Sequence, residues 1–166
     1  MELDVKSLPQ GPSETVLECR AVELDMDSDA ATFEDRVVAR FRVTRHGDNV
    51  LIHGTGDATV RSDCARCLEP TRQPLTAEFT AYAERRPVGG TKGLDRELEA
   101  DNYIFFHDGV RLEVGQVVRE ALLLALPLRF LCRPDCRGLC PGCGANLNTE
   151  PCTCATRAGG AGSVEM

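Results

Sequence analysis

Eight of the nine cysteines in this 166-residue chain stand in close pairs: Cys64 and Cys67, Cys132 and Cys136, Cys140 and Cys143, Cys152 and Cys154. Six of them fall within the 23 residues 132–154. Thiols this dense belong to a disulfide framework or to a metal site. Zinc takes four thiolates at the corners of a tetrahedron. A Cys-x-x-Cys knuckle suits it, because one tight turn brings two sulfurs to a point and aims backbone N–H groups at them. Cys140-Pro141-Gly142-Cys143-Gly144 is the best such knuckle. Pro141 presets the turn, and Gly144 permits positive φ just past the second ligand. Cys64-x-x-Cys67 is another, while the x3 and x spacings of Cys132/Cys136 and Cys152/Cys154 are usable but less diagnostic.

Two four-thiolate sites use all eight paired cysteines, so one or two structural zinc ions are expected. In the preferred arrangement Cys140, Cys143, Cys152 and Cys154 form a compact local site, and Cys64 and Cys67 meet Cys132 and Cys136. The alternative gives Cys132, Cys136, Cys140 and Cys143 one ion. Four protein ligands leave no open coordination position, so such a site is structural and not catalytic. A zinc tetrathiolate carries net −2, which Arg66, Arg129, Arg133 and Arg137 nearby would offset.

Metal is favoured over disulfides by the compartment the chain suggests. Its first residues have no basic n-region or apolar core of a signal peptide. Its longest apolar run, 121–128, is far short of the ~18 residues of a membrane span. A cytoplasmic location, with its reducing thiol pool, is therefore expected. A thioredoxin-like redox pair at Cys64/Cys67 is the third possibility, but that motif opens a helix in a βαβ context. Here Cys67 runs into Leu68, Glu69, Pro70 and a strand. Cys19 reads as a small core residue. His46, His53 and His107 read as surface residues. No catalytic triad, phosphate loop or paired carboxylates stand out, and no enzyme is expected.

The net charge of −7 is unevenly spread. Residues 1–35 hold ten acids and two bases, whereas 36–72 hold seven arginines and four acids. A net acidic chain is a poor autonomous binder of phosphate backbones. Local arginines can still face RNA or protein, and Arg40, Arg42, Arg61, Arg66 and Arg72 are the candidate contacts.

The elements that must position the thiols are mostly strands. Val37, Ala39, Phe41 and Val43 alternate with polar neighbours. A turn at 46–49 leads to an answering strand from Val50, interrupted near Gly54 and Gly56, that delivers Cys64. Leu75–Ala83 alternates again. Shorter strands are expected at Glu2–Lys6, Val16–Val22 and Asn102–Phe106, with turns at Pro9–Ser13 and Asp108-Gly109. Asp25–Asp35 reads as an acidic loop, 87–101 as a flexible acidic excursion, and 156–166 as a disordered tail. The one convincing helix is Val114–Leu126, apolar along Val114, Val117, Val118, Ala121, Leu122 and Ala125 and widened by Leu123, Leu124 and Leu126. Pro127 ends it. The expected fold is α+β: a curved antiparallel sheet in residues 1–130, with partial closure into a barrel as an alternative. The main helix covers it, and a zinc-stapled lobe follows at 131–155.

Three blocks together resemble a known family: Cys64-Ala65-Arg66-Cys67-Leu68-Glu69-Pro70; the helix from Val118 to Pro127; and Leu131 to Asn148 with its four cysteines, followed by Cys152-x-Cys154. The chain resembles the YceD family, the large ribosomal RNA subunit accumulation proteins, from the first hairpin to Cys154. The resemblance implies a bacterial cytoplasmic factor supporting 23S rRNA accumulation and large-subunit assembly, with a ribosomal protein or rRNA precursor as partner. Some members of that family lack the C-terminal cysteines, which makes the metal an added clamp and not the shared activity. A zinc-ribbon module of the transcription type is the competing class, but it would call for a separate basic domain. A thiol oxidoreductase at Cys64/Cys67 is the other.

Overall fold

A computed structural model describes residues 1–85 except 27 and 29, the backbone of 96–99 and 102–104, and 105–154 except 153. Among these residues the chain forms nine strands and one α-helix, an α+β composition. The strands are β1 (Glu2–Asp4), β2 (Gly11–Arg20), β3 (Thr32–Phe33), β4 (Arg36–His46), β5 (Asn49–Asp63), β6 (Pro70–Arg85), β7 (Arg96–Glu99), β8 (Asn102–His107) and β9 (Arg111–Glu113). The helix α1 spans Gly115–Leu124.

The main sheet runs β2-β4-β5-β6-β8-β7, with β3 added against β5. β2 and β7 are its two ends, so it is open, and the barrel alternative is set aside. It is antiparallel at β2–β4, β4–β5 and β7–β8 but parallel at β6–β8, where Tyr82 lies opposite Ile104. β1 and β9 make a separate two-stranded sheet, with Leu3 opposite Leu112.

The contacts divide the chain into two compact units: 1–60 with 73–126, and 61–72 with everything from Pro127. The first holds the aliphatic core. Period two on β4 buries Val37, Ala39, Phe41 and Val43 while Arg36, Arg40 and Arg42 stay out. Gly54 is where a side chain cannot go: a Cβ there would lie 2.5 Å from the Phe79 ring and 2.8 Å from the Arg40 carbonyl. That ring meets Phe41 edge-on, with centroids 5.7 Å apart. Gly56, two residues on, seats the helix, since Val118 and Leu122 lie 3.3–3.5 Å from where its Cβ would be. Val118 and Leu122 are fully buried. Burying side chains of this size contributes about 1.5–3 kcal/mol each.

Several expectations change. The turn read at Pro9–Ser13 ends where β2 begins, at Gly11, whose φ is +91°. The acidic loop 25–35 contains β3 and buries Met26, Ala31 and Phe33, apolar residues spaced among the acids. Leu124 does not widen the apolar face of α1; it is 87% exposed. His107 is buried, not superficial: its Nε2 donates to the Asp48 carbonyl at 2.7 Å and its Nδ1 accepts from Gly109 N–H at 3.0 Å. Within the expected excursion 87–101, Arg96–Glu99 form β7, and the rest lies outside the described residues. A short charged segment reads as solvent-bound from sequence, yet charged residues are what an edge strand tolerates. The tail 156–166 also lies outside the described residues.

Candidate metal centres

Both cysteine clusters form in the second unit, which takes in the tip of the β5–β6 hairpin as well as the segment from Pro127. The expected lobe, 131–155, falls within it. The hairpin tip is a closed knuckle. Cys64 N–H donates to the Glu69 carbonyl at 2.9 Å, and Leu68 N–H returns to the Cys64 carbonyl at 2.9 Å. To turn so tightly Leu68 takes φ +61°, a left-handed conformation rare outside glycine. Ala65 N–H donates to the Phe130 carbonyl at 2.8 Å, which sets the segment entering Cys132 beside the knuckle.

The sulfurs of Cys64, Cys67, Cys132 and Cys136 all lie within 4.8 Å of one another. Cys64 and Cys136 are 3.7 Å apart and Cys67 and Cys132 3.6 Å. Cys64, Cys67 and Cys136 are buried, with Leu131 and Leu139 packed on them, while Cys132 is exposed. Gly138, at φ +75°, lets the chain pass the hairpin: a Cβ there would stand 3.0 Å from the Arg66 carbonyl. The same carbonyl accepts from Leu139 N–H at 3.1 Å, and the Arg66 guanidinium donates to the Cys136 carbonyl at 2.8 Å.

The second cluster gathers Cys140, Cys143, Cys152 and Cys154, again all within 4.8 Å. Cys140 lies 3.2 Å from Cys152 and 3.7 Å from Cys154, and Cys143 lies 3.9 Å from Cys152. Gly144 N–H closes the knuckle onto the Cys140 carbonyl at 2.9 Å with φ +75°. Gly142 is equally specific: a Cβ would fall 2.6 Å from the Cys154 sulfur. Cys140 is buried, Cys143 and Cys152 are exposed and Cys154 is half-buried. These groupings are the preferred of the two sequence arrangements; Cys132 and Cys136 are not gathered with Cys140 and Cys143.

The spacing suits a tetrahedral thiophilic ion. A Zn–S bond of ~2.3 Å implies sulfur–sulfur edges of ~3.8 Å, and four of the five separations above, 3.6–3.9 Å, sit at that value. The electrostatics fit too. The backbone N–H at Cys132, helped by those at Arg66 and Cys67, brings the Cys64 thiol down to about 6 despite its burial. Burial, then the thiols of Cys136, Cys67 and Cys64, push Cys132 up to about 12. In the second cluster the backbone N–H of Cys143 lowers Cys140, whereas the neighbouring thiols, Cys152 first, push Cys154 to about 12. Four crowded sulfurs cannot all carry charge unaided. A divalent cation removes that repulsion and deprotonates the remainder.

Asn148 is the residue that reading the cysteines alone overlooks. Its Nδ2 donates to the Cys136 sulfur at 3.3 Å, and burial notwithstanding, this amide and the Gly138 N–H lower that thiol. Its Oδ1 accepts from Arg137 N–H and from Arg133 Nη2, both at 2.8 Å. It thus ties the loop of the second cluster to a ligand of the first. Asn146 braces it from Oδ1 at 2.8 Å and reaches Glu69 at 3.4 Å. The only advance signal is an Asn-x-Asn between two cysteine pairs.

The other candidate contacts are engaged within the protein. Arg40 pairs with Asp57, and Arg42 with Glu14 at 3.2 Å. Arg61 and Arg72 lie in the exposed parts of β5 and β6.

The profile of the family described as large ribosomal RNA subunit accumulation protein YceD matches residues 52–159. The chain is 36% identical over 113 residues to an uncharacterized protein of Mycobacterium tuberculosis, covering 66% of this chain and 51% of that one. It is 27% identical over 155 residues to the chloroplastic large ribosomal RNA subunit accumulation protein YCED homolog 1 of Zea mays, 80% of this chain and 53% of that protein. The Arabidopsis thaliana homolog 1 is 25% identical over 133 residues, 68% of this chain and 41% of the other. The chain therefore spans about half the length of the curated relatives it matches. No solved structure matches it.

Proposed function

The chain belongs to the YceD family, and from that premise we propose that it is a non-enzymatic cytoplasmic factor supporting 23S rRNA accumulation and large ribosomal subunit assembly. The observation that carries the reading is the family match over 52–159, which takes in all eight paired cysteines.

Zinc at both clusters is part of the proposal, supported by sulfur spacings that suit a ~2.3 Å Zn–S tetrahedron. Cys64, Cys67, Cys132 and Cys136 hold one ion, and Cys140, Cys143, Cys152 and Cys154 the other. Bound there, zinc supplies cross-linking and no turnover, because protein sulfur fills all four positions. The residues around it do the rest: Asn148 and backbone N–H groups orient sulfurs, and Leu131 and Leu139 keep water from the inner cluster. A redox role for Cys64 gains little from its lowered thiol, because that sulfur is fully buried.

Charge suggests where partners dock. The cysteine-bearing unit carries seven arginines against five acids, net +2, whereas the other carries 12 bases against 21 acids, net −9. Through Arg61, Arg66 and Arg72 the first suits an rRNA precursor, and the second suits a basic large-subunit ribosomal protein. Arg40 and Arg42 would first have to leave Asp57 and Glu14, and Arg66 the Cys136 carbonyl.

Depletion followed by profiling of rRNA precursors tests the function: loss of mature 23S rRNA relative to 16S is expected. Unchanged precursors and subunit ratios would overturn it.

A further inference from the structure

The two clusters are unequal in a way that assigns them different chemistry. In the inner one, three of four sulfurs are at most 4% exposed and lie under Leu131 and Leu139. In the outer one, Cys152 and Cys143 are exposed. The Cys152 sulfur is 3.2 Å from that of Cys140, against 3.7 Å from Cys140 to Cys154 and 3.9 Å from Cys143 to Cys152 itself. Oxidants reach thiolates according to exposure, and an exposed thiol beside a second, resolving thiol is the arrangement that yields a reversible disulfide. We propose that Cys152 and Cys140 form a peroxide-oxidisable modification site whose cross-linking releases the outer ion while the inner cluster stays loaded. This rests on both clusters binding zinc.

The step balances with hydrogen peroxide as oxidant. The Cys152 thiolate attacks one peroxide oxygen, the O–O bond breaks and hydroxide leaves, giving a sulfenic acid. The Cys140 thiolate attacks that sulfur, the S–S bond forms, the S–O bond breaks and a second hydroxide leaves. Two sulfurs have given two electrons to peroxide, and two protons from solvent turn the hydroxides to water. Cys143 and Cys154 alone cannot hold the ion. Cys132, the exposed sulfur of the inner cluster, has no comparable route. Its neighbour Cys67 lies 3.6 Å away, against 3.2 Å between Cys152 and the likewise buried Cys140, and closing that gap to the ~2.05 Å of a disulfide would disturb the packing of Leu131 and Leu139 on Cys67.

The test uses the full chain loaded with zinc, pulsed with hydrogen peroxide, with released zinc read by a metallochromic dye and cross-links mapped by mass spectrometry. One ion per chain should leave, with Cys140 joined to Cys152 and Cys64, Cys67 and Cys136 unmodified. Reductant and zinc should then restore the second ion. Simultaneous loss of both ions, loss of the inner one first, or a cross-link lacking Cys152 would overturn the proposal while leaving the metal reading intact. Fewer than two ions before peroxide would instead overturn the metal reading. In C132S, which spares the outer cluster, peroxide should still join Cys140 to Cys152; failure to do so counts against the proposal.

Discussion

Single side chains in the cysteine unit have jobs that predict distinct failures. Asn148→Ala removes the N–H donor to the Cys136 sulfur and the acceptor for Arg133 and Arg137. Losing an outer partner of a metal ligand typically weakens binding about 10–100-fold. The inner ion should therefore pass to a competing chelator that much more readily in the variant, with the ion count unchanged at saturating zinc. Gly142→Ala would push the Cys154 sulfur aside and weaken the outer ion alone; chelator titration distinguishes the two. Proton traffic gives a further check. Without metal, Cys132 and Cys154, near 12, stay protonated throughout the neutral range, so each must release a proton on loading. Affinity should rise with pH, and each unit of acidification should cost each site at least about tenfold. At this scale the cysteines were legible because thiol pairs have few uses. Asn148 was not, because an asparagine announces nothing until its amide is seen against a sulfur.

Among the elements, the hairpin strands matter most because β5 delivers Cys64 and β6 leaves from Pro70. Their packing tolerates no side chain at Gly54. Gly54→Ala should cost about 1–3 kcal/mol by overpacking against Phe79 and the Arg40 carbonyl, read as a lowered denaturant midpoint. His107→Phe should cost about 0.5–1.5 kcal/mol for each hydrogen bond lost, since the carbonyl of exposed Asp48 and the N–H of half-buried Gly109 lose their partner but can turn to water. The long strands β4, β5 and β6 could be read from period two, and α1 from its spacing. The short β3, β7 and β9 could not, because two to four residues carry no periodicity and each depends on a partner remote in the chain. For the same reason the parallel β6–β8 pair and the open edge at β2 were not readable.

At the largest scale the chain comprises an acidic sheet-and-helix unit and an arginine-bearing unit that gathers eight thiols. If the second faces rRNA, capture of precursor from lysate should weaken steeply between about 50 and 200 mM salt, as contacts to phosphate do. On the proposed reading, eight thiolates grip two ions for shape and so hold that second unit together, and native mass spectrometry of the purified chain addresses this directly. It should show two zinc ions per chain, falling to one in Cys64→Ser and to one in Cys140→Ser. A chain without metal, its paired cysteines joined as cystines, would contradict it.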